Sequence, residues 1–575
     1  MKRTAADAIV EALMRHGVQT MMGQSLPSAL FLAAERAGIR QLVYRTENAG
    51  GAIADGFARI GNTLGVVGAQ NGPAATLLVA PLTEAKLVSI PILALVQDVP
   101  TPTQDRNAFQ EIDHFALFDG CSKWTRRLTD AARAEEYIDM AINAAMSGRP
   151  GPAVLLLPKD VLITEVPASP RPRTTALGTF PVDRPRPSTD SVERAAALIA
   201  EAESPLIVAG GGVHRSQASE QVARLQDLAS VPVATTNMGK GAVDERHPLS
   251  MGVIGNAMAD RSTTRFMRDI VAESDLVVFV GSRTNENATD SWKIFPSSAT
   301  YIHLDVDGAE IGRNYESVRV VGDARSSLDD LLVALETHDL AKRTAARAGV
   351  EAKIAAAREA HAEQFAELVD LDAVPIRPER VIHELNQVLD SDAIVAADAS
   401  YSTIWLANYL TAKKPGQRFL YPRGMAGLGW GFPLALGAQV VEPESTVVCV
   451  TGDGGFGHVW GELETAVRSE LPVVVILLNN SILGFQRHSE LFQFGDHTSA
   501  ISFATVDHGA IARACGANAI RVDDPNDIKS AIEGAIASRR PTLIEVMVDP
   551  DAYPPISLWE TKTELLASSR LPADR

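Results

Sequence analysis

Cysteine is scarce: there are three in 575 residues, at Cys121, Cys449 and Cys515. They stand far apart with no C-x-x-C spacing, which excludes a disulfide framework and a cysteine zinc site and predicts thiols kept in a reducing compartment. Long apolar runs are missing too. The longest, residues 87–96 and 471–478, fall short of the ~20 residues that a membrane helix needs and read as buried parallel strands. The opening MKRTAADAIVEALMRHG has no continuous apolar core of an export signal. Its Ile9 and Leu13, closed by Gly17, predict an amphipathic helix, and a cytoplasmic location is expected. Positive charge is in deficit, with 53 Lys and Arg against 71 Asp and Glu, a net −18. An acidic surface repels polyphosphate, so neither a nucleic-acid nor a membrane partner is expected. The G-x-G-x-x-G at 452–457 is followed by a strand that ends in Asn479-Asn480 and not in an acid, which argues against a plain NAD-dependent dehydrogenase. No G-x-S-x-G nucleophile motif occurs either.

What is present is globular. At about 150 residues per domain the chain holds three or four domains, and 46% hydrophobic with 22% charged residues suits folded cores. Residues 1–166 alternate Ala-rich helical stretches with β-rich runs at 41–44, 64–69 and 91–96. That βαβ rhythm predicts a parallel sheet covered on both faces. Residues 167–187 are too rich in Pro for regular structure and read as a linker. A second α/β unit spans 188–340, with strands predicted at 205–209, 276–280 and 300–304. Residues 341–374 form a helical connector. A third unit spans 375–550, with strands at 393–397, 446–451, 473–478 and 542–548, and 551–575 is a tail. The first and third units share size and alternation, as duplicated domains would. The fold class expected is α/β, three doubly wound parallel-sheet domains in series.

One constellation carries chemistry. Gly452-Asp453-Gly454-Gly455 follows the strand at 446–451 and precedes a helix predicted over 460–468, and Asn479-Asn480 ends the next strand. Neighbouring parallel strands bring Asp453 and Asn480 to one sheet edge. There glycines admit close backbone approach, and a helix start offers N–H groups to a phosphate. A carboxylate, an amide oxygen and a backbone carbonyl are hard oxygen ligands suited to Mg²⁺. Either element alone also fits a capped turn or an Asn closing a strand.

These residues resemble a family. Gly452-Asp453-Gly454 with Asn479-Asn480 looks like the thiamine-diphosphate signature. Arg45-Thr46-Glu47-Asn48-Ala49 before Ala54-Asp55-Gly56-Phe57-Ala58-Arg59 resembles the catalytic-glutamate segment. Asn71-Gly72-Pro73, Ala108-Phe109-Gln110-Glu111, Gly148-Arg149-Pro150-Gly151-Pro152 with Pro158-Lys159-Asp160, and Gly427-Leu428-Gly429-Trp430-Gly431-Phe432-Pro433 match as well. The likeness runs along essentially the whole chain and is to acetolactate (acetohydroxyacid) synthase-like, thiamine-diphosphate-dependent enzymes. It implies a pyrimidine-binding first domain, a middle Rossmann-like domain and a diphosphate-binding third domain.

The resemblance implies roles residue by residue. Glu47 is the catalytic residue, hydrogen-bonded to the cofactor's aminopyrimidine ring; by itself it also reads as an acid complementing a helix start. Gly72, Tyr401, Ser402, Ala426, Gly427, Leu428, Gly452, Asp453, Gly454, Gly455, Asn480, Ile482, Leu483 and Gly484 bind thiamine diphosphate. Within that set Leu428 holds the cofactor bent, and Asp453, Asn480 and the Ile482 carbonyl hold Mg²⁺. Arg149, Gly210, Gly211, Gly212, Gly281, Arg283, Asp305 and Asp323 match a middle-domain site that takes FAD, ADP or nothing in relatives. Phe109, Gln110, Lys159, Asn287 and Ser489 are substrate candidates.

The chain departs from the synthase pattern at three places: Asn287 stands for an Arg, Ser489 for a Trp, and Thr46 for a His. Arg487 and His488 read as substitute substrate contacts or loop charges, and His458 and His114 as cofactor neighbours or ordinary hydrogen-bonded histidines. The implied activity decarboxylates a 2-oxo acid and transfers the acyl unit to an acceptor. A lyase or hydrolase acting on a diketone or α-hydroxyketone stays open, as does a non-catalytic scaffold relative, which would have lost Glu47 or a metal ligand. The implied assembly is a homodimer or homotetramer with shared active sites, a regulatory subunit being left open.

Overall fold

The computed structural model describes residues 2–167, 172–177, 180–369 and 372–559. The tail over 560–575 and parts of the linker and connector lie outside the described residues. Three six-stranded sheets follow one another along the chain, and every strand pairing is parallel.

The first sheet contains β1 (Thr20–Met22), β2 (Arg40–Leu42), β3 (Gly65–Ala69), β4 (Ile92–Asp98), β5 (Trp124–Arg127) and β6 (Ala153–Pro158), in the order 2-1-3-4-6-5. The second contains β7 (Pro205–Ala209), β8 (Val233–Thr235), β9 (Ser250–Val253), β10 (Leu276–Val280), β11 (Thr300–Asp305) and β12 (Val318–Val321), in the order 12-11-10-7-8-9. The third contains β13 (Ile394–Ala397), β14 (Phe419–Leu420), β15 (Val447–Gly452), β16 (Val474–Asn479), β17 (Asn518–Val522) and β18 (Thr542–Met547), in the order 14-13-15-16-18-17. Counted from its own first strand, the third sheet repeats the 2-1-3-4-6-5 order of the first. The middle sheet reads 3-2-1-4-5-6 by the same count, the order of doubly wound dinucleotide-binding folds.

The central strands β3, β4, β6, β15, β16 and β18 are apolar runs buried on both faces, as sheets sandwiched between helices require. Each buried Val, Ile or Leu adds about 1.5–3 kcal/mol to the core. Residues 87–90, expected to begin a strand, instead end the helix Val79–Leu87 and a short loop; the strand starts at Ile92. The described part of the linker has no helix or strand but is packed. Phe180 is buried in the first core, and Arg184 donates to Asp323 Oδ1 at 3.0 Å and the Ser216 carbonyl at 2.8 Å.

The first and third domains meet along helices Glu47–Gly61 and Gly431–Val441. A Cβ on Gly56 would lie 2.1 Å from the Leu434 carbonyl oxygen, and one on Gly437 would lie 2.1 Å from that of Ile53. Only glycine allows this backbone-to-backbone approach. The crossing presents the N-terminal end of the first helix, with Glu47, to solvent beside the third domain. Among the described residues no helix is long and apolar enough to cross a membrane.

Candidate active site

The carboxyl edge of the third sheet gathers the predicted cofactor residues. The register Gly452↔Leu478 sets the ends of β15 and β16 side by side, so Asp453 and Asn480 meet although 27 residues apart. Asn480 donates its backbone N–H to Asp453 Oδ1 at 3.3 Å, and its side-chain oxygen accepts from Ile482 N at 3.2 Å. Asn479 points the other way and donates to Glu545 Oε1 at 2.7 Å, which also meets His508 Nδ1 at 2.9 Å. Of the Asn pair, only Asn480 faces the edge. Burial pushes the Asp453 carboxyl above its ordinary range, a cost that a divalent cation offsets.

A cavity of about 590 Å³, counted with its open mouth, lies here. Tyr401, Ser402, Leu428, Gly452, Asp453, Gly454, Gly455, Asn480, Ile482, Leu483 and Gly484 all line it. Gly452 keeps it open, since a Cβ there would touch nothing nearer than the Leu478 carbonyl oxygen at 4.0 Å. Oxygen donors beside a glycine cradle at a strand–helix turn fit a diphosphate bound through Mg²⁺. Ala426 and Gly427 adjoin Leu428 in the loop but are not among the lining residues.

Two elements of this site were not anticipated. Asp398, at the end of β13, is fully buried, and its carboxylate accepts from Ala399 N (2.8 Å), Gly429 N (2.9 Å) and Thr451 Oγ1 (3.2 Å). It sits beside β15 where the strand order reverses, the position at which open α/β sheets bind ligands. Ser400 follows at φ +65°, ψ −138°, a conformation costly for any residue with a Cβ and concentrated at functional sites. Tyr401 Oη lies 2.8 Å from His488 Nδ1. His488 is buried, not a loop charge, and burial with Arg487 nearby pushes it down to about 4. Arg487 is engaged by the Pro550 carbonyl at 2.9 Å and by Asp551 at 2.6 Å. Ser489 accepts from Gln493 one turn on, at 2.9 Å, and His458 is exposed.

The carboxyl edge of the first sheet holds a second group. Thr46 caps the helix Glu47–Gly61 by accepting from Ala49 N at 3.3 Å. Glu47 is half-buried, and its carboxylate makes no hydrogen bond or ion pair among the described residues. Gly72 has φ +66°, and a Cβ on it would meet the Gln110 carbonyl oxygen at 2.9 Å. Asn71 Nδ2 donates to the same carbonyl at 3.0 Å. His114, wholly buried, accepts from Gly72 N at 3.4 Å, with Asp98 Oδ1 at 3.3 Å from its other nitrogen, which makes it a support of the Gly72 turn. Phe109 is 84% exposed, and Lys159, at the end of β6, is exposed as well. None of Glu47, Gly72, Phe109, Gln110 and Lys159 lines the third-domain cavity.

The middle sheet carries a larger opening, about 1130 Å³ with its solvent-filled mouth, at the upper end for ligand clefts. Arg149, Gly211, Gly212, Gly281, Arg283, Asp305 and Asp323 line it. Gly210 lies behind them, where a Cβ would strike the Gly281 carbonyl oxygen at 2.3 Å. Asn287 is on this wall and not in the third-domain cavity, with its side-chain oxygen 3.1 Å from Asn256 Nδ2. Arg215 and Arg423 also line the opening. Arg215 Nη1 is buried with no partner, and Arg283 and Arg423 make no side-chain hydrogen bond or ion pair among the described residues. Burial lowers all three guanidinium pKa values, so an anion such as a nucleotide diphosphate fits the surplus charge. Burial likewise pushes the Asp305 carboxyl up to about 6.

Known families match all three domains. Residues 3–117 match the thiamine pyrophosphate enzyme N-terminal TPP binding domain, 192–331 the central domain and 398–546 the C-terminal TPP binding domain. The chain is 34% identical over 564 residues to the probable acetolactate synthase large subunit of Methanocaldococcus jannaschii, covering 95% of this chain and 92% of that one. It is 32% identical over 586 residues to the acetolactate synthase of Arthrospira platensis, covering 98% of each. With the acetolactate synthase isozyme 2 large subunit of Escherichia coli it shares 28% over 568 residues, 98% and 99% of the two chains.

Proposed function

We propose, from the premise that the chain belongs to the thiamine-diphosphate-dependent, acetolactate synthase-like enzymes, that it decarboxylates a 2-oxo acid and transfers the acyl unit to an acceptor. The observation that carries this is the third-domain cavity whose lining includes eleven of the predicted cofactor residues, Asp453 and Asn480 among them. When bound, thiamine diphosphate supplies a carbon acid that adds to a carbonyl and takes up the electron pair freed on decarboxylation or C–C cleavage. Asp453, Asn480 and the Ile482 carbonyl would hold Mg²⁺. Leu428 would hold the bound cofactor bent. Glu47 would share a proton with the aminopyrimidine ring.

In a single chain the cavity includes no first-domain residue, and Glu47 stands apart from it. Phe109, Met425 (49% exposed) and Leu428 (37%) are exposed apolar groups along the same edges. A second copy would cover them and bring its own Glu47 to the cavity, so the working form is a homodimer or a higher even assembly. The middle opening suits FAD or ADP, with Arg215, Arg283 and Arg423 on the diphosphate. Three free cysteines accord with the cytoplasm, and relatives named large subunits make a smaller regulatory partner worth testing.

A second reading follows from Asn287 and Ser489. Bonded to Asn256 and Gln493, they offer no cation to a second oxo-acid carboxylate, which favours a neutral diketone or α-hydroxyketone as substrate. Turnover of pyruvate against a panel of neutral diketones, with thiamine diphosphate and Mg²⁺, decides between the two. Turnover of neither removes both. Sedimentation gives the assembly, with a fully active monomer as the contrary result, and a 450 nm band reports flavin.

A further inference from the structure

Two buried glutamates outside the site described above cross the boundary between the first and third domains in opposite directions. Glu462, 1% exposed at the start of the third-domain helix Glu462–Arg468, accepts the backbone N–H of Arg45 at 3.0 Å and of Thr46 at 3.3 Å. Those are the two residues immediately before Glu47. Its other oxygen takes the Thr465 hydroxyl at 2.7 Å. Glu84, 2% exposed on the first-domain helix Val79–Leu87, accepts the N–H of Gly424 at 2.9 Å and of Met425 at 2.5 Å. They begin the loop that leads to Leu428.

A carboxylate buried this deeply is expensive unless its oxygens are fully engaged, and a charge-assisted bond to a backbone N–H is stronger than a neutral one. Glu462 has no ion pair within 4 Å among the described residues, so its burial is offset chiefly by those two amides and one hydroxyl. Glu84 has Arg59 3.7 Å away, and Arg59 is itself occupied by Asp55. Domain docking alone would be served better by apolar side chains of the same volume. Two amides taken by one carboxylate fix the direction of a backbone, which is what a catalytic segment needs.

We propose that Glu462 and Glu84 are positioning residues, a reciprocal pair of carboxylate–amide clamps by which each domain fixes the other's functional segment, Glu47 in one case and Leu428 in the other. The proposal rests on the reading of Glu47 as the group that meets the cofactor. In an assembly with shared sites, the clamps of one chain bear on two active sites at once.

Backbone amide hydrogen exchange on the full-length protein without added cofactor tests this, comparing wild type with Glu462→Gln and Glu84→Gln. We expect exchange at least tenfold faster at residues 45–46 in the first variant and at 424–425 in the second, with other peptides of both domains unchanged. Turnover at saturating thiamine diphosphate falls at least tenfold in each, while KM for the substrate moves less than threefold. Thr465→Val, which removes only the hydroxyl on Glu462, gives a smaller acceleration at 45–46, and Glu84→Asp does so at 424–425. These serve if the first variants do not fold. Unchanged exchange at both segments, or acceleration spread evenly over both domains, overturns the proposal. Local acceleration alongside full turnover in Glu47→Gln would instead overturn the role of Glu47 and leave the clamps standing.

Discussion

The carboxylate of Asp398 and the backbone N–H of Gly429 lie 2.9 Å apart, a bond that ties the end of β13 to the loop presenting Leu428. Gly455 closes over the same carboxylate so tightly that a Cβ there would sit 1.8 Å from Asp398 Oδ2. The Gly452–Gly455 turn, the leucine loop and the strand end therefore share one buried acid. Asp398→Asn places an NH₂ group among donors and leaves buried N–H groups without an acceptor, costing about 1–3 kcal/mol. Cofactor affinity should fall roughly tenfold, the equivalent of ~1.4 kcal/mol. Calorimetric titration with thiamine diphosphate and Mg²⁺ measures it, and wild-type affinity would remove Asp398 from this role.

Glu47→Gln keeps the size of the side chain and removes its ability to exchange a proton. Loss of a positioned acid–base group lowers turnover by about 10²–10⁴-fold. Since Gln still offers a hydrogen bond and Asp453, Asn480 and the glycine turn are untouched, thiamine diphosphate should still bind within a few fold of wild type. Full turnover would refute the assignment.

The hard-oxygen set at the third sheet predicts metal dependence. Chelation should abolish activity, and Mg²⁺ should restore it. Asp453→Ala removes the only formal charge of the set, so binding should weaken by more than the roughly 100-fold lost with outer-shell partners. Cofactor binding that is indifferent to chelator counts against the site.

Ser400 holds a conformation in which its Cβ is a liability. Ser400→Gly relieves strain of about 1–3 kcal/mol, partly offset by about 0.5–1 kcal/mol of extra chain entropy. A net gain of about 1 kcal/mol should appear in denaturant unfolding. Destabilisation would mean that the serine is held by something stronger than its backbone cost.

His488, pushed down to about 4 by burial, is neutral in the fold near neutral pH. The unfolded chain, with an ordinary histidine near 6.5, takes a proton sooner. The stability this group contributes is complete above pH 6.5 and declines as pH falls toward 4. His488→Gln can still bond Tyr401 and cannot charge, so its Tm should drop less than wild type between pH 7.5 and 5. Equal drops would show that His488 plays no part in acid sensitivity.

What could be read from the sequence was what lies close together in it. Strands 205–209 and 276–280 emerge as β7 and β10 residue for residue, because a buried parallel strand announces itself as an apolar run ended by a glycine turn. Asp453 and Asn480 were legible because each ends its own strand. The short strands β1, β8, β12 and β14, two to four residues long, carry too little pattern to stand out. Glu462 and Arg45 are separated by 417 residues, and Asp398 and Gly429 by 31. In a linear sequence Glu462 is one more acid on a helix, and its function exists only once two domains have met. The same holds for Asn287, whose place on the wall of the middle opening no motif announces.

In the first and third sheets the strand made last is an interior one: β6 enters between β4 and β5, and β18 between β16 and β17. During synthesis the fifth strand must wait beside an empty slot. With no hairpin to nucleate either sheet, every pairing is preceded by a crossover, which makes assembly slow. Until Met547 has left the ribosome, β16 and β17 each keep an edge open to a stray strand from another nascent chain. Fewer nascent chains at once, from weaker expression, should therefore raise the soluble yield of this protein more than that of an all-helical chain of equal length.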